Sequence, residues 1–152
     1  MKISNEFPPN YQAIVSVFGD VVEKEKACFA YGNTIYNPFK IEITPDLEAH
    51  EKTHSSQQGD DVEGWWFKYL SDPAFRVEQE IEAFGYQLAY FSMMTQNSKL
   101  KEWVKEQFAS KLASPLYGNA ISYGEAESKI RNFSKKVEIV NDEDEVLLSR
   151  RS

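Results

Sequence analysis

Cysteine and histidine are nearly absent from this chain: Cys28 stands alone, and His50 and His54 are its only histidines. A lone cysteine cannot close an internal disulfide, and Cys28 sits in the apolar run ACFAY, where it reads as a small buried side chain, so nothing points to an oxidising compartment. Long hydrophobic runs are missing as well. None approaches the roughly 20 residues that cross a bilayer, and no apolar segment follows the polar, proline-marked start MKISNEFPPN as a signal peptide requires. The expectation is a cytoplasmic protein with no membrane partner. No basic stripe is present either: 17 basic residues face 24 acidic ones, for a net charge of −7, and the pairs at Lys135 and Arg150 are too short to reverse this, which argues against nucleic acid as a partner. Repeats and linkers rich in Gly, Pro or Ser are also lacking.

What is present suffices for one core, with 41% hydrophobic and 14% aromatic residues in 152. Residues 1–134 are read as a single domain. Residues 135–152 mix acid clusters with VEIV and VLL and read as an acidic C-terminal tail, either a peripheral strand or mobile. Tyr11 to Phe18 has helical spacing and stops at Gly19. β-Branched and aromatic residues then predict short strands around Ala27–Tyr31, Thr34–Tyr36 and Lys40–Ile43. Thr44-Pro45-Asp46 is a helix start, with a hydroxyl able to cap, a proline at the first helical position and an acid near the positive dipole end. That helix runs to about Gln58 and ends at Gly59. Trp65 to Leu70 predicts one or two helical turns closed by Asp72-Pro73. Phe75, Ile81, Phe84, Leu88 and Phe91 mark the apolar face of a long helix, Lys99 to Leu112 another, and Ser122 with Glu125 a capping box for a helix to Phe133.

His50-Glu51-Lys52-Thr53-His54 spells H-E-x-x-H. Residues four apart share a helix face, so two imidazoles can reach one zinc ion while Glu51 points at the water on that metal. The metal acidifies its water and polarises a carbonyl, and the carboxylate carries the proton to the leaving amine. By composition the motif arises by chance in roughly one chain of this length in a few hundred. Its place behind a helix-start signal, and its use of both histidines, favour chemistry over a merely solvated helix. With no third histidine, the remaining protein ligand is a carboxylate or Cys28. Glu78, Glu80 and Glu82 lie on the next long helix and cannot all face one ion, because residues two apart point to nearly opposite sides.

The segment resembles the gluzincin branch of the zincin metallopeptidases, in which H-E-x-x-H is followed on a second helix by a glutamate in a pattern of the type E-x-x-[AS]-D. Glu80-Ile81-Glu82-Ala83-Phe84 fits with Glu80 as ligand and Ala83 as the small residue. Phe84 departs from it. The family's aspartate orients a ligating histidine, so another partner must do so here, and Glu82, Asp60 and Asp61 are the candidates. HEKTHSSQQ followed by WWFKYL and FRVEQEIEAF is also similar, over about residues 35–90, to small predicted metallopeptidase domains, some encoded in tailed-phage and bacterial genomes.

The resemblance implies a zincin-like α+β fold, a small N-terminal sheet packed on the H-E-x-x-H helix and a second glutamate-bearing helix. It implies zinc on His50, His54 and Glu80, Glu51 as general base, and hydrolysis of a peptide or amide bond in a peptide or protein substrate. It further implies a strand edge for the substrate, at Thr34–Tyr36 or Lys40–Ile43, and an oxyanion donor, for which Tyr86, Tyr117, Tyr123 and Arg76 are available and Tyr123 is carried forward. Trp65 and Trp66 read first as core and second as cleft wall. The rival expectation is a non-catalytic zincin scaffold serving binding or assembly, phage-related among other settings, with structural zinc or none. Oligomeric state is not legible.

Overall fold

The computed structural model describes the backbone of residues 1–151 and the side chains of residues 1–138. The elements are β1 (Lys2–Ser4), α1 (Tyr11–Phe18), α2 (Val21–Lys24), β2 (Phe29–Tyr31), β3 (Thr34–Tyr36), α3 (Pro45–Gln58), α4 (Val62–Ser71), α5 (Pro73–Met94), α6 (Ser98–Leu112), a 3-10 turn (Pro115–Tyr117) and α7 (Tyr123–Arg151). The class is α+β, a helical body with one three-stranded sheet. The sheet order is β1-β3-β2, with β1 parallel and β2 antiparallel to β3. No helix among the described residues is long and apolar enough to cross a membrane.

One strand that the sequence pattern did not predict appears, and one that it did predict is absent. β1 carries almost no local signal, being three residues with a single β-branched side chain, and exists because β3 offers it a partner. Lys40–Ile43 is not a strand. Asn37 brackets it, its Nδ2 donating to Ile41 O at 2.9 Å and its Oδ1 accepting from Ile41 N at 3.1 Å, which consumes the backbone groups a ladder needs. Lys40 moreover has φ 55°, left-handed backbone that no strand contains.

Helix α3 starts and ends where its signals predict. Pro45 occupies the first turn, and Gly59 at φ 52° takes the terminating conformation that a side chain would resist. Thr44, however, caps with backbone alone: Glu48 N donates to Thr44 O at 2.9 Å, and the hydroxyl makes no capping bond. The Trp65 region forms one continuous ten-residue helix, α4. Ser122 Oγ accepts from Glu125 N at 3.3 Å, as the capping box predicts, and α7 then continues past Phe133 to Arg151. The backbone of residues 135–151 is thus helical and not a peripheral strand, there being no proline or glycine after Gly124 to stop the helix; the side chains after residue 138 lie outside the described ones.

Two apolar clusters bracket α3. One gathers Ile14, Val22, Phe29, Trp65, Trp66 and Leu116. The other joins Phe84 and Leu88 of α5 to Val104 and Leu112 of α6 and Ile130 of α7. Helix α3 packs on α5 and on β2, and the face it buries is wholly polar: His50, Glu51, Thr53, His54 and Gln58. Buried polar groups cost free energy unless they are satisfied, so this face has a purpose other than packing.

Candidate metal centre

Helical periodicity puts His50 and His54 one turn apart on the buried side of α3, and α5 brings Glu80 against them. These three are the group of metal-capable side chains found among the described residues, with one ligand atom of each within 4.8 Å of the others. All are buried, Glu80 to 1% exposure. The two Nε2 atoms lie 3.2 Å apart, His50 Nε2 is 3.4 Å from Glu80 Oε2, and His54 Nε2 is 2.6 Å from Glu80 Oε1. Donors about 2.0–2.2 Å from one tetrahedral ion stand about 3.3–3.6 Å apart. Two of the three separations are therefore within about 0.2 Å of that range, and the third is a short charge-assisted hydrogen bond that an ion would open by under about 1 Å.

The protonation pattern agrees. Burial disfavours the His54 imidazolium, but the charge and hydrogen bond of Glu80, with Glu51 behind, outweigh it and raise the pKa to about 9. Burial works against the Glu80 carboxylate too, yet His54 and His50 hold it well below the usual carboxylate range. Glu51 is shifted upward, chiefly by burial and partly by Glu80, against the pull of both histidines. Of the four buried side-chain polar atoms without a hydrogen-bond partner among the described residues, two are Glu80 Oε2 and Glu51 Oε2; the others belong to Asn10. Two orphaned carboxylate oxygens beside two imidazoles are what a cation satisfies, so the donor set fits zinc.

A cavity of about 60 Å³ adjoins the three donors, and Glu51, Cys28, Trp65, Tyr69 and Tyr117 are among the side chains that line it. It has room for a few waters and falls well short of the about 150 Å³ that admits a benzene ring. Its half-buried lining residues, Phe18, Ala27, Cys28 and Tyr117, mark where it approaches solvent.

Glu78 is exposed, while Glu82 is half-buried and accepts from Gln57 Nε2 at 3.3 Å, in keeping with opposite faces for residues two apart. Cys28 lines the cavity without joining the donor group. Its thiol is 3.4 Å from Asn37 Oδ1 as a donor and is pushed up to about 12, by burial first and by Glu51 second. Asp61 caps α4 through Gly64 N at 2.9 Å and Asp60 is exposed, so neither orients a histidine.

Tyr123 and Tyr86, at 45% and 41% exposure, do not line the cavity. Tyr123 opens α7. Arg76 is consumed by three backbone carbonyls, those of Tyr69, Leu70 and Tyr117, and its guanidinium stacks 4.7 Å from the Phe18 ring centroid. The tyrosines at the site are Tyr69, whose hydroxyl donates to Glu80 Oε1 at 3.2 Å, and Tyr117. Both hydroxyls lie well above their ordinary pKa through burial and then Glu80. Trp65 and Trp66 serve both as core and as cavity wall, Trp65 lying 5.3 Å from the His54 ring.

Neither strand edge proposed for a substrate is free. β3 is the central strand, and Lys40–Ile43 is a loop. The outer edge of β2 is closed by side chains: Ala30 O accepts from Gln58 Nε2 at 2.7 Å and from Trp66 Nε1 at 3.1 Å, and Gly32 O from Ser55 Oγ at 2.7 Å.

Two residues that the motif does not announce complete the site. Gln87 Oε1 lies 2.9 Å from His50 Nδ1, and Gln57 Oε1 lies 2.9 Å from His54 Nδ1. Gln87 is two turns beyond Glu80 on α5, on the same face, and Gln57 is three residues after His54. That spacing is the signal they carried. Comparison with protein-family models, with curated proteins and with solved structures finds no match.

Proposed function

We propose that this chain is a zinc-dependent hydrolase of the zincin type, cleaving a peptide or amide bond, with zinc on His50, His54 and Glu80 and Glu51 as general base. The observation that carries the reading is a three-donor site opening on a cavity with two buried oxygens that lack a hydrogen bond, Glu51 Oε2 and Glu80 Oε2, the latter with His50 Nε2 at 3.4 Å. A structural zinc site is closed by four protein ligands; three ligands and a space are the catalytic arrangement. When bound, zinc supplies a Lewis acid for the carbonyl and an acidified water. Glu51 takes a proton from the attacking water as its oxygen bonds to the carbonyl carbon, then hands that proton to the nitrogen as the C–N bond breaks. Tyr117, which lines the cavity, is the hydroxyl proposed to donate to the developing oxyanion, because Tyr69 spends its one hydrogen on Glu80 Oε1. The cavity limits what lies beside the scissile bond to a small group, and the closed β2 edge excludes a long peptide added there as an extra strand.

The same closure supports a second reading, a zinc-bearing scaffold for binding or assembly that hydrolyses nothing. The two separate on one experiment. Purified protein loaded with zinc is offered small acyl amides, short peptides and an unfolded protein, beside Glu51→Gln. Hydrolysis by the native chain, lost in Glu51→Gln with one zinc still bound, supports the enzyme. One zinc bound with no hydrolysis of any of them overturns it in favour of the scaffold.

A further inference from the structure

We propose that two carboxylate–glutamine–histidine relays, Asp46–Gln87–His50 and Glu82–Gln57–His54, position the metal ligands. The inference rests on the metal-binding reading above.

Each amide's orientation is dictated by its nitrogen. Gln87 Nε2 donates to Asp46 Oδ2 at 2.9 Å. Gln57 Nε2 donates to the backbone carbonyl of Gln79 at 3.0 Å and to Glu82 Oε1 at 3.3 Å. None of these partners donates, so the amide oxygens must be the atoms that face the imidazoles, at 2.9 Å from His50 Nδ1 and 2.9 Å from His54 Nδ1. An amide oxygen only accepts, which assigns a hydrogen to both Nδ1 atoms and leaves Nε2 of the neutral ring as the free lone pair. Those Nε2 atoms face each other at 3.2 Å beside Glu80.

The relays also hold ring position. Gln87 ties α5 to the first turn of α3 through Asp46, and Gln57 ties the last turn of α3 to α5 through Gln79 and Glu82. Both imidazoles are thus clamped from the two ends of α3. The carboxylate that orients a ligating histidine directly in the common arrangement stands one residue further out here. Phe84 packs its ring 4.6 Å from His50, so that flank of the imidazole is apolar and the polar contact comes from Gln87, three residues on.

The test measures zinc affinity of the full chain by chelator competition and imidazole tautomer by nitrogen-15 chemical shifts. The variants are Gln87→Leu, Gln57→Leu and the exchanged pair Asp46→Asn with Gln87→Glu, with circular dichroism to report folding. In the exchanged pair an asparagine donates to the new carboxylate, which still accepts from His50 Nδ1. Each leucine variant is expected to lose about 10- to 100-fold in zinc affinity. The exchanged pair is expected to stay within about threefold of native or bind more tightly, because its acceptor is charged. Native histidines should read Nδ1–H with zinc on Nε2. Gln57 is only half-buried, so its variant supplies the answer if Gln87→Leu does not fold. Folded leucine variants that bind zinc as tightly as native, zinc on Nδ1 of either histidine, or an exchanged pair as weak as Gln87→Leu would each overturn the relays. A native chain that binds no zinc overturns the metal reading itself, which distinguishes the two failures.

Discussion

At the scale of single residues, the site is held by charge compensation that a metal ion and a proton compete for. His54 carries its second proton up to about pH 9 because Glu80 faces it at 2.6 Å, and a ligating histidine must be neutral. The sign follows: below that pH zinc has to expel the proton, so its binding at pH 7 releases about one proton, and its apparent affinity rises about tenfold per pH unit until His54 is neutral. Calorimetry of zinc binding in buffers of differing ionisation enthalpy measures the release; no release at pH 7 contradicts it. Glu51→Gln tests a different atom. On the proposed mechanism it removes the proton carrier and no ligand, so hydrolysis is expected to fall by about 10²-fold or more while zinc stoichiometry stays at one per chain. His50, Glu51 and His54 were legible because one fixed spacing on one helix face carries their chemistry. Glu80 was singled out by the resemblance to the E-x-x-[AS]-D pattern, since helical phase alone says only that Glu78, Glu80 and Glu82 cannot all face one ion. Gln57, Gln87 and Tyr69 were not, since glutamine and tyrosine are common on helices and only the packing of α3 against α5 and α4 gives these three a task. Tyr123, exposed and outside the cavity lining, shows the converse: a tyrosine's sequence position says nothing of its distance from a site on another helix.

At the scale of elements, α3 shows why hydropathy alone fails at functional helices. Its buried face is polar throughout, so no apolar stripe announces it, and its limits came from Pro45 and Gly59. Cap chemistry was legible only in part. Asp72 accepts from Ala74 N and Phe75 N at 3.1 and 3.3 Å, whereas the Thr44 hydroxyl accepts nothing. Asp72→Ala is therefore expected to cost about 1 kcal/mol by denaturant unfolding and Thr44→Ala only a few tenths; equal losses contradict that assignment. The α5–α7 contact makes a second element-scale prediction. A methyl on Gly85 would overlap the Phe133 ring at its base. Overpacking of about 1–3 kcal/mol outweighs the ~1 kcal/mol of helix propensity that alanine adds, so Gly85→Ala should lower the unfolding midpoint. The short strands were the least legible elements. β1 and the loop at Lys40–Ile43 are decided by a distant partner strand and by the side chain of Asn37, neither of which a local pattern contains.

At the scale of the whole molecule, the candidate metal centre lies where the two apolar clusters meet. His50 packs on Phe84 of one and His54 on Trp65 of the other, at ring separations of 4.6 and 5.3 Å. An ion that ties α3 to α5 at that seam acts on the folding of the entire chain. Free zinc at a hundredfold over its dissociation constant should stabilise the protein by about 2.7 kcal/mol, read as a rise in thermal midpoint that a chelator reverses. The α+β class follows from composition and pattern, and the division of the core around a polar helix emerges only in three dimensions. The most direct test is a crystal structure of zinc-replete protein. One ion is expected about 2.0–2.2 Å from His50 Nε2, His54 Nε2 and a Glu80 oxygen, with Glu51 facing the fourth position; excess zinc with no ion on these three atoms would contradict the metal site.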